Sequence, residues 1–330
     1  MAAVDPAFPA AVAVSGGGDS LALMHLLADW ARARRVAAPL VVIVDHRLRR
    51  GSAAQARRAR ARAREAGLEA RVLPRRGPAP ESDIEGAARA ARYRLIGEWA
   101  REKNVRTVFV AHTLEDQAET FLMRLARGSG LDGLTAMRVL APYPLAEFAD
   151  VALARPLLAE RRADLRLYLA ARGIAWHDDP MNADPRFARV RMRALLPVLE
   201  ETGMSAARIA AAAAHLSRAR DALELATDVF LARAAVETGE GAVALDAEAF
   251  AAVPREVGLR ALACVLMGVG GAAYRPRFER LSALLDAIAQ DALGGGRTLG
   301  HCRLAAAPKR LRHFGPATLI VARENRGRMT

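Results

Sequence analysis

Lysine is almost missing from this chain: of 49 basic residues only Lys103 and Lys309 are lysines. No G-x-x-x-x-G-K-[ST] stretch occurs, which excludes a Walker-type loop, whose lysine reaches the phosphates. Cysteine is as scarce. Cys264 and Cys302 stand far apart without a Cys-x-x-Cys, so neither a disulfide framework nor a cysteine-bound zinc or iron–sulfur site is supported, and both are expected to be core residues. Long apolar runs are missing too. The longest, roughly 261–274, is too short and too glycine-broken to span a bilayer. No basic residue precedes the first apolar stretch, as an export signal would require. A cytoplasmic protein with no membrane partner is the expectation.

What is present is positive charge, +13 net with a pI near 11.0, which points to a polyanionic partner. With 330 residues, 52% of them hydrophobic, the chain can bury more than one core. Short β-type runs at Ala11–Val14, Leu40–Asp45, Ala70–Leu73 and Arg106–Ala111 alternate with helical patterns near 21–34, 52–66, 84–102 and 115–127. Such alternation predicts an α/β domain, a doubly wound parallel sheet covered on both faces, with ligands at the carboxyl ends of its strands. The pattern loosens over 128–158, and helices resume near 160–172 and 188–200. An Ala-rich helix over about 205–236, a linker at Gly239 and Gly241, helices near 254–267 and 276–290, and strands at Thr298–Leu304 and Thr318–Ala322 predict a mainly helical second part with a small β end. The expected boundaries are 1–204 and 205–330. The basic run at 57–64 reads either as a solvated helix face or as a contact to RNA phosphate, and Trp30, Trp99 and Trp176 as core or interface fillers.

After the first strand, Ser15-Gly16-Gly17-Gly18-Asp19-Ser20 opens a helix. Helix N-termini direct unpaired N–H groups and a partial positive charge at whatever sits there, and glycines let the chain pass close to an anion. An acid in such a loop is intelligible if Asp19 binds Mg²⁺, which then neutralises the phosphates. The motif resembles the S-G-G-x-D-S of PP-loop ATP pyrophosphatases, which cleave ATP between its α and β phosphates and adenylate an oxygen of the substrate.

Downstream, Thr113 can cap a helix with Asp116 completing a capping box. Glu119, three residues on, shares a face with Asp116. Two carboxylates beside a nucleotide need a cation, and a free amine fits. At pH 7 only about one lysine side chain in 2,500 is neutral, a cost of about 4.6 kcal/mol before attack. A carboxylate pair can hold the ammonium and then take its proton.

Together with the loop, "VDH" at 44–46, "ARYRL" at 91–95, His112 with "EDQAET" at 115–120, "RGSGLDGL" at 127–134, "RPLL" at 155–158 and "DDPMNADPRFARVRMR" at 178–193 resemble the tRNA(Ile)-lysidine synthases. That resemblance implies ATP-dependent activation of the wobble cytidine of an isoleucine tRNA with a CAU anticodon, followed by attack of L-lysine. It implies that Ser15, Gly16, Gly17, Gly18, Asp19 and Ser20, with Asp45 and His46 at the next strand end, hold ATP, and that Asp19 holds Mg²⁺. Asp116 and Glu119 would receive lysine, with His112 beside the reacting groups and Arg92 and Arg189 on phosphate or base. Val190 stands where the family usually has Asn. A bland alternative for Arg186, Arg189, Arg191 and Arg193 is a solvated helix start, and for His112 and His46 a strand-end imidazole. A PP-loop tRNA thiolase, another ligase of the ATP-pyrophosphatase group and a non-catalytic RNA-binding module remain competing readings, and a homodimer stays open.

Overall fold

The computed structural model describes residues 4, 6–48, 51–78, 84–177, 184–272 and 274–324. They form two compact units, Met1–Ser217 and Arg218–Thr330. The first contains β1 (Ala10–Ala13), α1 (Gly18–Arg34), β2 (Leu40–Asp45), α2 (Ser52–Glu65), β3 (Ala70–Pro74), α3 (Ile84–Glu102), β4 (Thr107–Phe109), α4 (Leu114–Leu125), α5 (Leu131–Leu134), β5 (Leu140–Pro142), β6 (Ala152–Ala154), α6 (Arg162–Ala170) and α7 (Ala188–Glu201). The boundary between the units falls inside α8 (Ala206–Ala234).

The six strands order as β3-β2-β1-β4-β6-β5, parallel except for β5. Alternate residues of the central strands enter two separate cores. Val12, Val41, Ile43 and Phe109 pack with Leu21, Leu23 and Leu27 of α1. Ala11, Val42, Val108 and Leu153 pack with Ile96 and Trp99 of α3. Apolar residues on both faces are what a parallel sheet covered by helices requires. At β1 the strand order reverses, β2 lying on one side and β4 on the other. A crevice opens at the carboxyl ends of strands where such a reversal occurs.

The loosened segment 128–158 holds two strands that its pattern did not reveal. Each is three residues long, below the length at which alternation can be read, and β5 closes the sheet edge in antiparallel sense. The basic run lies on α2, where Ala56, Ala59 and Ala63 face the core while Arg57, Arg58, Arg60 and Arg64 are exposed.

The second unit carries β7 (Ala235–Thr238), β8 (Ala242–Asp246), α9 (Ala247–Ala252), α10 (Arg255–Gly270), α11 (Phe278–Ala289), β9 (Arg297–Leu299), β10 (Cys302–Ala306) and β11 (Thr318–Arg323). Its sheet is antiparallel throughout, ordered β7-β8-β11-β10-β9. Gly239 and Gly241, read as a linker, instead turn the β7–β8 hairpin. The single strand expected over 298–304 is a hairpin bent at Gly300 and His301, both at positive φ. Cys302 is buried as expected, but Cys264 is exposed.

Candidate active site

The loop between β1 and α1 is shaped by its serines and one glycine. Gly16 has φ of +90°, a conformation that a side chain would strain. The Ser15 N–H donates to Ser20 Oγ at 3.2 Å, and Ser20 Oγ donates to the Gly17 carbonyl at 2.9 Å. Gly17, the N-cap of α1, offers no side-chain acceptor to the helix N-terminus. The first N–H groups of α1 are therefore left for a ligand. Trp176 closes the loop from outside, its ring 3.5 Å from where a Cβ on Gly18 would lie. This filler thus sits directly on the loop, while Trp99 is core and Trp30 stacks on Phe8.

A cavity of about 290 Å³ runs from the loop to α4, lined by Ser15, Gly17, Gly18, Asp19 and Ser20 on one side and by His112 and Asp116 on the other. Between them stands Arg162, the first residue of α6. Its guanidinium reaches three carboxylates: Nε donates to Asp19 Oδ2 at 3.1 Å, Nη2 to Asp116 Oδ1 at 3.2 Å, and Nη1 lies 3.5 Å from Glu119 Oε1. The Glu115 carboxylate accepts the backbone N–H of Arg162 at 3.0 Å. Burial works against the charge on Arg162, but Asp116, Glu119, Asp19 and Glu115 outweigh it and raise its pKa. Burial also lifts the Asp19 pKa, opposed by Arg162 and reinforced by Asp116. For Asp116 burial acts upward too, yet Arg189, Arg162 and the Thr113 N–H prevail and lower it.

Glu119 is fully buried and ringed by arginines. Arg189 and Arg193, four apart on one face of α7, both turn to it. Arg193 Nε donates to Oε1 at 2.8 Å. Arg189 Nε lies 3.0 Å from Oε2, an ion pair whose N–H is not aimed at the oxygen. The four arginines of 186–193 therefore divide. Arg186 pairs with Asp184, and Arg191 holds the carbonyls of Pro185 and Arg186. The preceding residues of that motif, 178–183, lie outside the described residues.

The capping box is present: Asp116 Oδ2 accepts the Thr113 N–H at 2.8 Å and its hydroxyl at 3.1 Å. His112 lines the cavity with its Nδ1 buried and without a hydrogen-bond partner. Burial pushes its pKa down to about 3, helped by Arg155, Arg189 and Arg92 against the pull of Asp116. His46 also lines the cavity with an unpartnered Nδ1, its pKa lowered by burial and by Arg92. Asp45 is buried but is not among the lining residues; its carboxylate accepts the Arg47 N–H at 3.1 Å. Arg92 enters the cavity beside Tyr93, its guanidinium 5.3 Å from the ring centre. Among the described residues no three His, Cys, Asp or Glu are placed to hold a metal by themselves.

Residues 5–199 match the PP-loop domain family. A tRNA(Ile)-lysidine synthase of Ruegeria pomeroyi is 40% identical over 301 residues, covering 88% of this chain and 70% of the relative. Another, of Bradyrhizobium diazoefficiens, is 43% identical over 307 residues, covering 90% and 81%. A third, of Methylobacterium nodulans, is 41% identical over 315 residues, covering 95% and 89%. The chain belongs to the tRNA(Ile)-lysidine synthase family. As a PP-loop protein it uses ATP. The U34-tRNA thiolase NcsA from Methanococcus maripaludis, solved with its [4Fe-4S] cluster, superposes with a TM-score of 0.51 at 16% identity over 63% of this chain and 70% of that one. That likeness is one of fold.

Two features of this candidate site are not foreseen from sequence: Arg162 as its hub, and the bond of Arg193 to Glu119, since Arg193 is read there only within the arginine-rich motif and as part of a solvated helix start. One local signal pointed to the first. A cation in the opening turn of a helix opposes the helix dipole, and Arg162 at the head of α6 needs carboxylates to offset it. No comparable signal marks Arg193, whose partner lies 74 residues away.

Proposed function

We propose that the chain is a tRNA(Ile)-lysidine synthase in which the 15–20 loop holds ATP and the carboxylates of α4 receive L-lysine. The carrying observation is one cavity bounded by an uncapped helix N-terminus and, opposite it, by Asp116. ATP activates the C2 oxygen of the wobble cytidine in the CAU anticodon, releasing pyrophosphate. The lysine amine then forms the C2–N bond as the C2–O bond to AMP breaks, and its proton passes to a carboxylate of the Asp116–Glu119 pair. His112 stays neutral at pH 7, so it can accept a hydrogen bond next to the reacting groups without repelling the ammonium. Arg92 and Arg189 supply positive charge for phosphate or base.

The residues fit a Mg²⁺ that shares its shell with phosphate. Asp19 already directs an oxygen at a cation, here the Arg162 guanidinium, and Mg²⁺ at nucleotide sites takes one or two carboxylates plus phosphate oxygens. The ion would neutralise charge on the phosphates. Residues 1–204 carry the chemistry in this reading and 205–330 hold tRNA, in the cytoplasm. A homodimer is read out by sedimentation with and without tRNA.

The test is product analysis with isoleucine tRNA, ATP and lysine. AMP is expected only when lysine and the tRNA are both present, with lysidine in the nucleoside digest, while pyrophosphate release needs the tRNA and ATP. ADP as product, or AMP without either substrate, overturns the mechanism.

A further inference from the structure

Arg162 occupies the ground that a substrate cation needs. Its side chain is 16% exposed and spends its three nitrogens on three carboxylates, two of them the pair on α4. Glu119 accepts in addition from Arg193. In this arrangement no ammonium can reach the pair without first displacing a guanidinium. We propose that Arg162 is an internal competitor of the amine substrate, holding the Asp116–Glu119 pair until a bound nucleotide draws its guanidinium away. This rests on the reading of the pair as the lysine site.

The geometry supplies both ends of the exchange. Nε of Arg162 is bonded to Asp19, the second residue of α1, so one edge of the guanidinium already borders the loop where phosphates would lie. Guanidinium binds phosphate as readily as carboxylate, through parallel N–H bonds. A cation taken up by Asp19 together with nucleotide loosens the contact at Nε, and the phosphates offer the released fork a new acceptor. The carboxylates of α4, buried and short of one cation, then attract the ammonium. Coupling of this kind is reciprocal, so nucleotide and lysine each strengthen the other's binding. An amine would then be admitted to the site mainly when there is a nucleotide to consume it.

Calorimetric titration of lysine into the full chain tests this, with and without Mg²⁺ and α,β-methylene-ATP, which cannot be cleaved between its α and β phosphates. In the wild type, lysine should bind at least tenfold more tightly when the nucleotide is present. In Arg162→Gln the nucleotide-free protein should bind lysine about as tightly as the loaded wild type, leaving a coupling below twofold. Arg162→Lys, which keeps a charge but loses the fork, should fall between them. Wild-type binding of lysine that ignores the nucleotide overturns the proposal by itself and needs no variant. Loss of lysine binding in Arg162→Gln under both conditions, restored by Arg162→Lys, makes Arg162 a mere support for the carboxylates and overturns it as well. No lysine binding by the wild type in either state, while nucleotide binds, removes the lysine reading itself and the competitor with it.

Discussion

Lowering the pH from 7 to 5 is expected to cost the first unit about 2 kcal/mol through the single imidazole of His112. In the folded chain burial holds that imidazole neutral, with a pKa of about 3, against about 6.5 in the unfolded chain. Between those two values the unfolded state binds a proton that the folded state refuses. Stability therefore rises with pH across the window from about 3 to about 6.5, and it is lost as the pH falls. At pH 7 the unfolded imidazole is about three-quarters neutral and at pH 5 about 97% charged, a difference worth about 2 kcal/mol. Burial lowers the pKa of His46 and His25 in the same direction, so the wild-type loss alone does not isolate His112. The comparison with His112→Asn does. Urea unfolding followed by tryptophan fluorescence reports the first unit selectively, because Trp30, Trp99 and Trp176 all lie in Met1–Ser217. The wild type should lose about 2 kcal/mol more than His112→Asn between the two pH values. Equal losses would show that the imidazole protonates freely in the folded state and would refute the reasoning.

Asp19→Asn should abolish AMP formation while the far-ultraviolet circular dichroism stays unchanged; full turnover at ordinary Mg²⁺ would contradict the metal assignment. Gly97→Ala should destabilise the first unit by about 1–3 kcal/mol, since the added Cβ would fall 2.4 Å from the Phe148 ring, and a thermal melt that does not move would mean that the ring yields without cost. Binding of isoleucine tRNA should weaken linearly on a log–log salt plot, by about 0.7–0.9 per phosphate neutralised, whereas a flat plot would mean that the arginine excess faces no nucleic acid.

Much of the first unit could be read from sequence because its signals are local. A strand, a glycine turn and a helix follow one another within residues 10–34, and the Thr113–Asp116 cap spans four residues. The edge strands β5 and β6 escaped because three residues carry no period, and only pairing across the sheet identifies them. The β7–β8 hairpin escaped because β7 continues an Ala-rich helix without a break in composition, and a glycine pair reads equally as linker or turn. In the site, the loop and the acids of α4 were legible and Arg162 was not. Its partners lie 143, 46 and 43 residues away in sequence. Spacing rules reach one or two helical turns, so the cation at the head of α6 can be noticed but its carboxylates are identified only once the sheet has brought α1, α4 and α6 to one edge.

The divided carboxylate of Asp116 has a consequence for mutagenesis. One oxygen is committed to starting a helix and the other to a guanidinium across the cavity. An amide of the same shape can present its single acceptor to only one of them, and its NH₂ group then confronts a donor at the other. Asn at this position is thus no silent isostere: it must either fray the head of α4 or turn a proton toward Arg162, and any loss it produces mixes architecture with chemistry.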